Sequence, residues 1–87
     1  MYFLFAMMDG MATIKIYTTP NCAFCKRAKD YFKLKNLEYT EYDVSKDIEK
    51  QKEMIDKTGQ FGVPVIDING QVAVGFDKAK INQLLGL

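Results

Sequence analysis

Residues 63–74 read Val-Pro-Val-Ile-Asp-Ile-Asn-Gly-Gln-Val-Ala-Val, two apolar runs joined by Asn69-Gly70. Asn-Gly accepts the positive φ angles of a type I′ turn, whose twist matches that of the strands on either side, so this stretch predicts a β-hairpin. An isolated hairpin is barely stable in water and needs other elements against its apolar side chains. The rest of the 87-residue chain must supply that cover.

It does so by alternating strand and helix patterns. Thr13-Ile14-Lys15-Ile16-Tyr17 alternates polar and apolar, is rich in β-branched and aromatic residues, and is closed by the turn-prone Thr18-Thr19-Pro20-Asn21, which predicts a strand. From Cys22 to Lys35 there is no Gly or Pro. Cys25, Ala28 and Phe32 recur there at helical spacing, with Lys26, Lys29 and Lys33 on other faces, so a helix is expected to run until about Asn36. Glu38 to Val44 alternates again and predicts a second strand. Ser45, followed by Asp47, Ile48 and Glu49, has the pattern of a helix cap with acids in the first turn. The second helix is expected to reach Thr58, to end at Gly59, and to anchor through Met54 and Ile55. After the hairpin, Gly75-Phe76-Asp77 leads into a last helix containing Ile81, Leu84 and Leu85.

The order β-α-β-α-β-β-α predicts an α/β fold with a four-stranded mixed sheet, parallel where helices cross over, antiparallel at the hairpin, and with helices on both faces. The length suits one domain, since domains below about 50 residues rarely bury an adequate core. That domain is expected to cover residues 11–87. Residues 1–10 read as an N-terminal extension, of cloning origin or from an upstream start, or else as an added edge segment or contact surface. The apolar run Met1 to Met8 has no Lys or Arg and breaks at Asp9-Gly10, too short to span a membrane and unlike a secretion signal.

Twelve basic and eleven acidic residues leave a net charge of +1, so no overall field draws the chain onto nucleic acid or an anionic membrane, and neither is expected as a partner. The chain has no histidine. That removes the commonest general base and metal ligand, and with them triad chemistry and mixed Cys/His zinc sites. What remains reactive is sulfur. Two cysteines cannot form the multi-bridge framework of a small secreted scaffold, so a reducing, cytoplasmic setting is expected.

Cys22 and Cys25 form a C-x-x-C pair at the start of the first helix. Residues three apart on a helix lie on one side about one turn apart, which brings the two within the Cα separation a disulfide tolerates. Unpaired backbone N–H groups and the positive end of the helix dipole favour a thiolate at Cys22, whereas Cys25 sits one turn deeper. The spacing therefore predicts an exposed attacking sulfur and a more buried resolving one, the division that thiol-disulfide exchange requires. Lys26 and Arg27 stand where helix starts usually carry acids, and no carboxylate appears before Asp30. They would stabilise a nearby thiolate, or simply form a solvated face. Pro64, at the expected start of a strand, leaves Val63 extended with backbone groups free for a peptide or thiol ligand, or marks an ordinary strand start.

From Thr13 to Leu87 the sequence resembles the glutaredoxin family of the thioredoxin-like fold. The carriers are Ile16-Tyr17-Thr18 ahead of Pro20-Asn21-Cys22-Ala23-Phe24-Cys25, then Gly62-Val63-Pro64, then Gly75-Phe76-Asp77. The resemblance implies disulfide reduction with Cys22 as nucleophile and Cys25 as resolving thiol. It implies a cis Pro64 facing the cysteines and glutathione as co-substrate, with no metal. Glutathione would pair its cysteine with the Val63 backbone, its γ-glutamyl end would lie at Asp77 and the helix start, and Gln60 would help hold its glycyl carboxylate.

Four departures fall on the glutathione side of the site. Gly62 stands where the family usually has Thr, Phe24 replaces the tyrosine between the cysteines, Thr19 replaces a frequent lysine, and Phe76 follows Gly75 in place of Gly or Cys. Gly75-Phe76 resembles the glutaredoxin-shaped redoxins that serve ribonucleotide reductase and are recharged by thioredoxin reductase. Expected partners are therefore disulfide-containing proteins, with glutathione or thioredoxin reductase as electron donor, acting on a monomer. The competing class is a metal-binding module, a copper carrier or an iron-sulfur site shared through Cys22, since soft thiolates suit Cu(I) and iron-sulfur clusters.

Overall fold

A computed structural model describes residues 12–87; the expected extension at residues 1–10, and Met11, lie outside the described residues. The elements are β1 (Ile14–Thr18), α1 (Ala23–Leu34), β2 (Thr40–Asp43), α2 (Ile48–Thr58), β3 (Val65–Ile68), β4 (Gln71–Val74) and α3 (Lys78–Leu85). The strands form one mixed sheet in the order β2-β1-β3-β4. β1 pairs in parallel with β2, and the hairpin turns at Asn69 (φ 54°) and Gly70 (φ 91°), both in the left-handed region that a type I′ turn requires.

The second crossover departs from the expected parallel pairing. β3 runs antiparallel to β1, with Tyr17 opposite Val65 and Ile14 opposite Ile68. A short apolar run pairs equally well in either sense, so its direction is decided by where the preceding helix delivers it. The chain leaving α2 enters β3 at the end of the sheet where β1 finishes and the cysteine turn begins. Pro64 has no N–H to offer a ladder, and β3 starts at Val65 rather than Val63, leaving Val63-Pro64 outside the sheet at that end.

The expected cap of α2 is also corrected. Asp47, not Ser45, is the N-cap, its carboxylate accepting the Lys50 N–H at 3.1 Å. Ser45 stays in the preceding turn, where its N–H and hydroxyl both donate to Asp43 Oδ1 at 2.9 and 2.5 Å. A hydroxyl recruited by a neighbouring carboxylate cannot cap as well.

The central strands are covered on both faces. α1 and α3 pack Ala28, Phe32 and Ile81 onto Ile14, Ile16, Ile66 and Ile68, while α2 packs Met54 onto Tyr17, Val44 and Val65. Each large apolar side chain buried in this way stabilises the fold by about 1.5–3 kcal/mol. Because β3 is buried along its whole length, Asp67 is only 6% exposed and pairs with Lys57 at 2.6 Å.

Candidate active site

β1 ends at Thr18, and Thr19-Pro20-Asn21 turns the chain so that Cys22 becomes the N-cap of α1, with extended φ and ψ of −114° and 108°. Its carbonyl accepts the Lys26 N–H at 3.2 Å, and its sulfur accepts the Cys25 N–H at 3.1 Å. Sulfur thus fills the role that a Ser or Asp oxygen usually takes at a helix start, and a thiolate fills it better than a thiol. The first turn contains no acid to oppose that charge.

Cys22 and Cys25 are joined as a disulfide, with Cα atoms 5.2 Å apart. Cys25 is 1% exposed, packed beneath the more accessible Cys22. Across from them, the Val63-Pro64 peptide is cis and the Val63 carbonyl oxygen lies 3.8 Å from Cys22 Sγ. The Pro64 carbonyl accepts the Gly75 N–H at 2.7 Å, tying this loop to the end of β4.

Two hollows flank the pair. One, of about 300 Å³, is walled by Phe24, Val63, Pro64, Val74, Gly75, Phe76 and Asp77. Phe24 and Val74 are 55% and 52% exposed there, and Phe76 packs edge-on against Tyr31. Asp77 caps α3 by accepting the Lys80 N–H at 3.1 Å. A loop backbone outside the sheet, the α3 N-terminus and apolar walls thus meet beside the Cys22 sulfur.

The other hollow, of about 360 Å³, contains both cysteines, Thr18, Thr19 and Pro20 together with Lys26, Lys29, Lys33, Asp30, Glu41 and Asp43. Here the Thr18 hydroxyl donates to Glu41 at 2.7 Å and the Lys29 ammonium at 2.9 Å. Burial alone would push the Glu41 carboxyl up, but these two donors outweigh it and leave it below its ordinary value. Asp43 is likewise lowered, chiefly by the hydrogen bond from the Ser45 hydroxyl.

The sequence candidates divide between these places. Phe24, Val63, Pro64, Gly75, Phe76 and Asp77 meet in the first hollow, and Thr19 lies in the second. Gln60 lines neither; its amide brackets Gly62, accepting the Gly62 N–H at 2.5 Å and donating to the Gly62 carbonyl at 3.1 Å. Lys26 pairs with Asp30 at 3.1 Å, and the Arg27 guanidinium lies 5.2 Å from the centre of the Phe24 ring. Thr18, Lys29, Glu41, Asp43 and Val74 were not singled out from the sequence. Their local patterns are those of a strand end, a solvated helix face and an edge strand; Thr18 and Lys29 lie near the cysteines along the chain, whereas strand order brings Glu41 and Asp43 to them and Val74 to the neighbouring hollow.

The Glutaredoxin family model matches residues 14–73, most of the described chain. An uncharacterized glutaredoxin-like 8.6 kDa protein from the rubredoxin operon of Clostridium pasteurianum is 46% identical over 72 residues, covering 83% of this chain and 96% of that protein. Glutaredoxin 3 of Escherichia coli K12 is 36% identical over 67 residues, covering 77% and 81% of the two chains. Among solved structures, the glutaredoxin-like NrdH-redoxin of Escherichia coli superposes with a TM-score of 0.73 at 25% identity, over 83% of this chain and 93% of that one. With a C-x-x-C pair mounted at a helix start and facing a cis proline on a four-stranded mixed sheet, the chain belongs to the glutaredoxin family of thioredoxin-fold redox proteins.

Proposed function

We propose that the protein is a dithiol disulfide reductase that reduces protein disulfides and glutathione mixed disulfides, with glutathione as its electron donor. The position of Cys22 Sγ carries this reading: it caps α1, receives the Cys25 N–H at 3.1 Å, and lies 3.8 Å from the Val63 carbonyl oxygen. The Cys22 thiolate attacks one sulfur of a substrate disulfide, and the other sulfur leaves as a thiolate that takes up a proton from water. The Cys25 thiol loses its proton and attacks Cys22 Sγ, releasing the second substrate thiol and leaving the Cys22–Cys25 bond. Two electrons have moved to the substrate. Two glutathione thiols then reverse these steps, one forming a mixed disulfide at Cys22 and the second displacing it as glutathione disulfide.

Val63, beside Cys22, would pair its backbone with the incoming peptide, while Phe24, Val74 and Phe76 would take an adjacent apolar part of it. The α3 start at Asp77 would receive the γ-glutamyl end of glutathione.

A second reading, recharging by thioredoxin reductase, is favoured by Phe76, which walls the hollow where the family usually has a small residue. The NrdH-redoxin that this chain resembles is described as having a thioredoxin-like activity profile. An NADPH-coupled assay with glutathione and its reductase, run beside one with thioredoxin reductase, separates the two. Turnover in the first arm supports glutathione as donor, and turnover confined to the second overturns it. Cys22→Ser should abolish reduction in both arms; retained turnover would refute the assignment of the nucleophile.

A further inference from the structure

The second hollow has a feature that the exchange chemistry does not itself require. Glu41, on the edge strand β2, faces Lys29, one turn beyond Cys25 on α1, and the two form an ion pair at 2.9 Å whose members are 28% (Lys29) and 37% (Glu41) exposed. Thr18, 1% exposed at the end of β1, uses its hydroxyl to hold the same carboxylate oxygen, Glu41 Oε2, at 2.7 Å. Three consecutive elements of the sheet-helix layer thus converge on one carboxylate, in the hollow that also contains both sulfurs.

We propose that the Lys29–Glu41 pair, oriented by Thr18, is a positioning pair that balances charge beside the cysteines and so sets how readily Cys22 ionises. This rests on the reading of Cys22 as the attacking thiolate. Lys29 stands seven residues beyond Cys22 on α1, about 10 Å along the helix axis at about 1.5 Å per residue and so about one screening length away. A single uncompensated charge there acts on a thiolate, whereas a matched pair nearly cancels.

The other charges facing this hollow are one ion pair on α1 and one residue of each sign, Lys33 and Asp43. On α1, Lys26 pairs with Asp30, and Lys33 lies at the far end; on β2, Asp43 is engaged by Ser45. The turn Thr18-Thr19-Pro20 brings no charge. On the opposite side of the cysteines, Asp77 is engaged at the α3 cap and Arg27 over the Phe24 ring. Lys26 and Asp30 are 75% and 56% exposed, so solvent screens them, whereas Lys29 and Glu41 are half-buried and join two elements; a charge left alone in that pair is the less screened one. A Lys29 left alone favours the Cys22 thiolate, and a Glu41 left alone opposes it.

The test follows the iodoacetamide alkylation rate of the reduced full-length protein against pH, with mass spectrometry to identify the cysteine modified. In the unaltered protein Cys22 should react first; preferential reaction at Cys25 would overturn the reading of Cys22 as nucleophile. With Cys22 confirmed, Glu41→Gln should speed its alkylation below the thiol pKa, and Lys29→Met should slow it, each by roughly threefold, or about half a pH unit in the profile. Lys29→Arg should keep the unaltered profile. If both variants leave the profile unmoved, or move it in the same direction, while a urea titration shows them folded, the pair is only a strut between α1 and β2 and the inference falls.

Discussion

On the face of the sheet that carries α1 and α3, the core consists of Ile14, Ile16, Ala28, Tyr31, Phe32, Ile66, Ile68, Ala73 and Ile81. On the face that carries α2, the apolar patch shrinks to Tyr17, Val44, Met54 and Val65, and a polar cluster completes it. There the Tyr17 hydroxyl donates to Glu53, and the Lys57 ammonium donates to the Tyr17 oxygen at 2.8 Å and to Asp67 at 2.6 Å. The cysteines stand at the start of α1, on packing that is mainly apolar, with the Tyr31 hydroxyl donating to Asn82. The loop bearing Val63-Pro64 follows α2, whose attachment to the sheet depends partly on charge. The two sides of the candidate site are thus fastened by interactions with different responses to pH.

Phe32→Ala should produce the largest effect on this contrast. The ring is fully buried under α1, and its removal should cost about 3–5 kcal/mol, read as a fall in the urea midpoint. A loss below about 1 kcal/mol would mean that apolar packing is not what holds that face. Lys57→Met should cost less, about 1–3 kcal/mol, because it leaves the nearly buried Asp67 carboxylate without its cation. Replacing Asp67 with Asn in the Lys57→Met background should recover part of that loss; no recovery would indicate that the lysine acts through packing instead.

The smallest effect is on pH dependence. Burial and the Glu53 hydrogen bond raise the Tyr17 hydroxyl above its ordinary 10.0, despite the opposing Lys57. Burial works against the Lys57 charge, but Asp67 and Tyr17 outweigh it and raise that ammonium above its ordinary 10.5. Both groups bind their protons more tightly in the folded chain, so their stabilisation is fully present below about pH 10 and is lost as pH climbs through the folded values. Glu53 carries the opposite sign. The Tyr17 hydroxyl lowers its carboxyl below the ordinary 4.5, so its contribution is present above that value and lost as pH falls through the folded one. Urea midpoints from pH 8 to 11 should fall for the unaltered protein and fall less for Tyr17→Phe. Parallel curves would remove the polar cluster from the account.

Much of this architecture could be read along the chain. Asn69-Gly70 specified its turn because few dipeptides tolerate two consecutive positive φ angles, and Gly59 ended α2 in the left-handed region for the same reason. Cys22 and Cys25 were legible as a pair, since three-residue spacing on a helix fixes their separation. The cap of α2 was misread because Ser45 and Asp47 are both good capping residues, and the choice turned on Asp43 engaging the Ser45 hydroxyl.

Local pattern was silent wherever strand direction and strand order mattered. The apolar run Val65–Ile68 reads the same whichever way the strand runs, yet only the antiparallel sense starts β3 at the end of the sheet where β1 gives way to Cys22. No sequence pattern marked Asp67 as a nearly buried partner of Lys57; the cover of α2 makes it one. Glu41 and Lys29 are twelve residues apart and share no periodicity; the parallel pairing of β2 with β1, under α1, brings them together. The sequence by itself therefore determined the elements, the hairpin and the sulfur chemistry, which depend on backbone preferences and spacing within a turn or two. The tertiary structure decided which backbone faces Cys22 and which charges lie beside it, because those contacts join residues whose proximity no local pattern encodes.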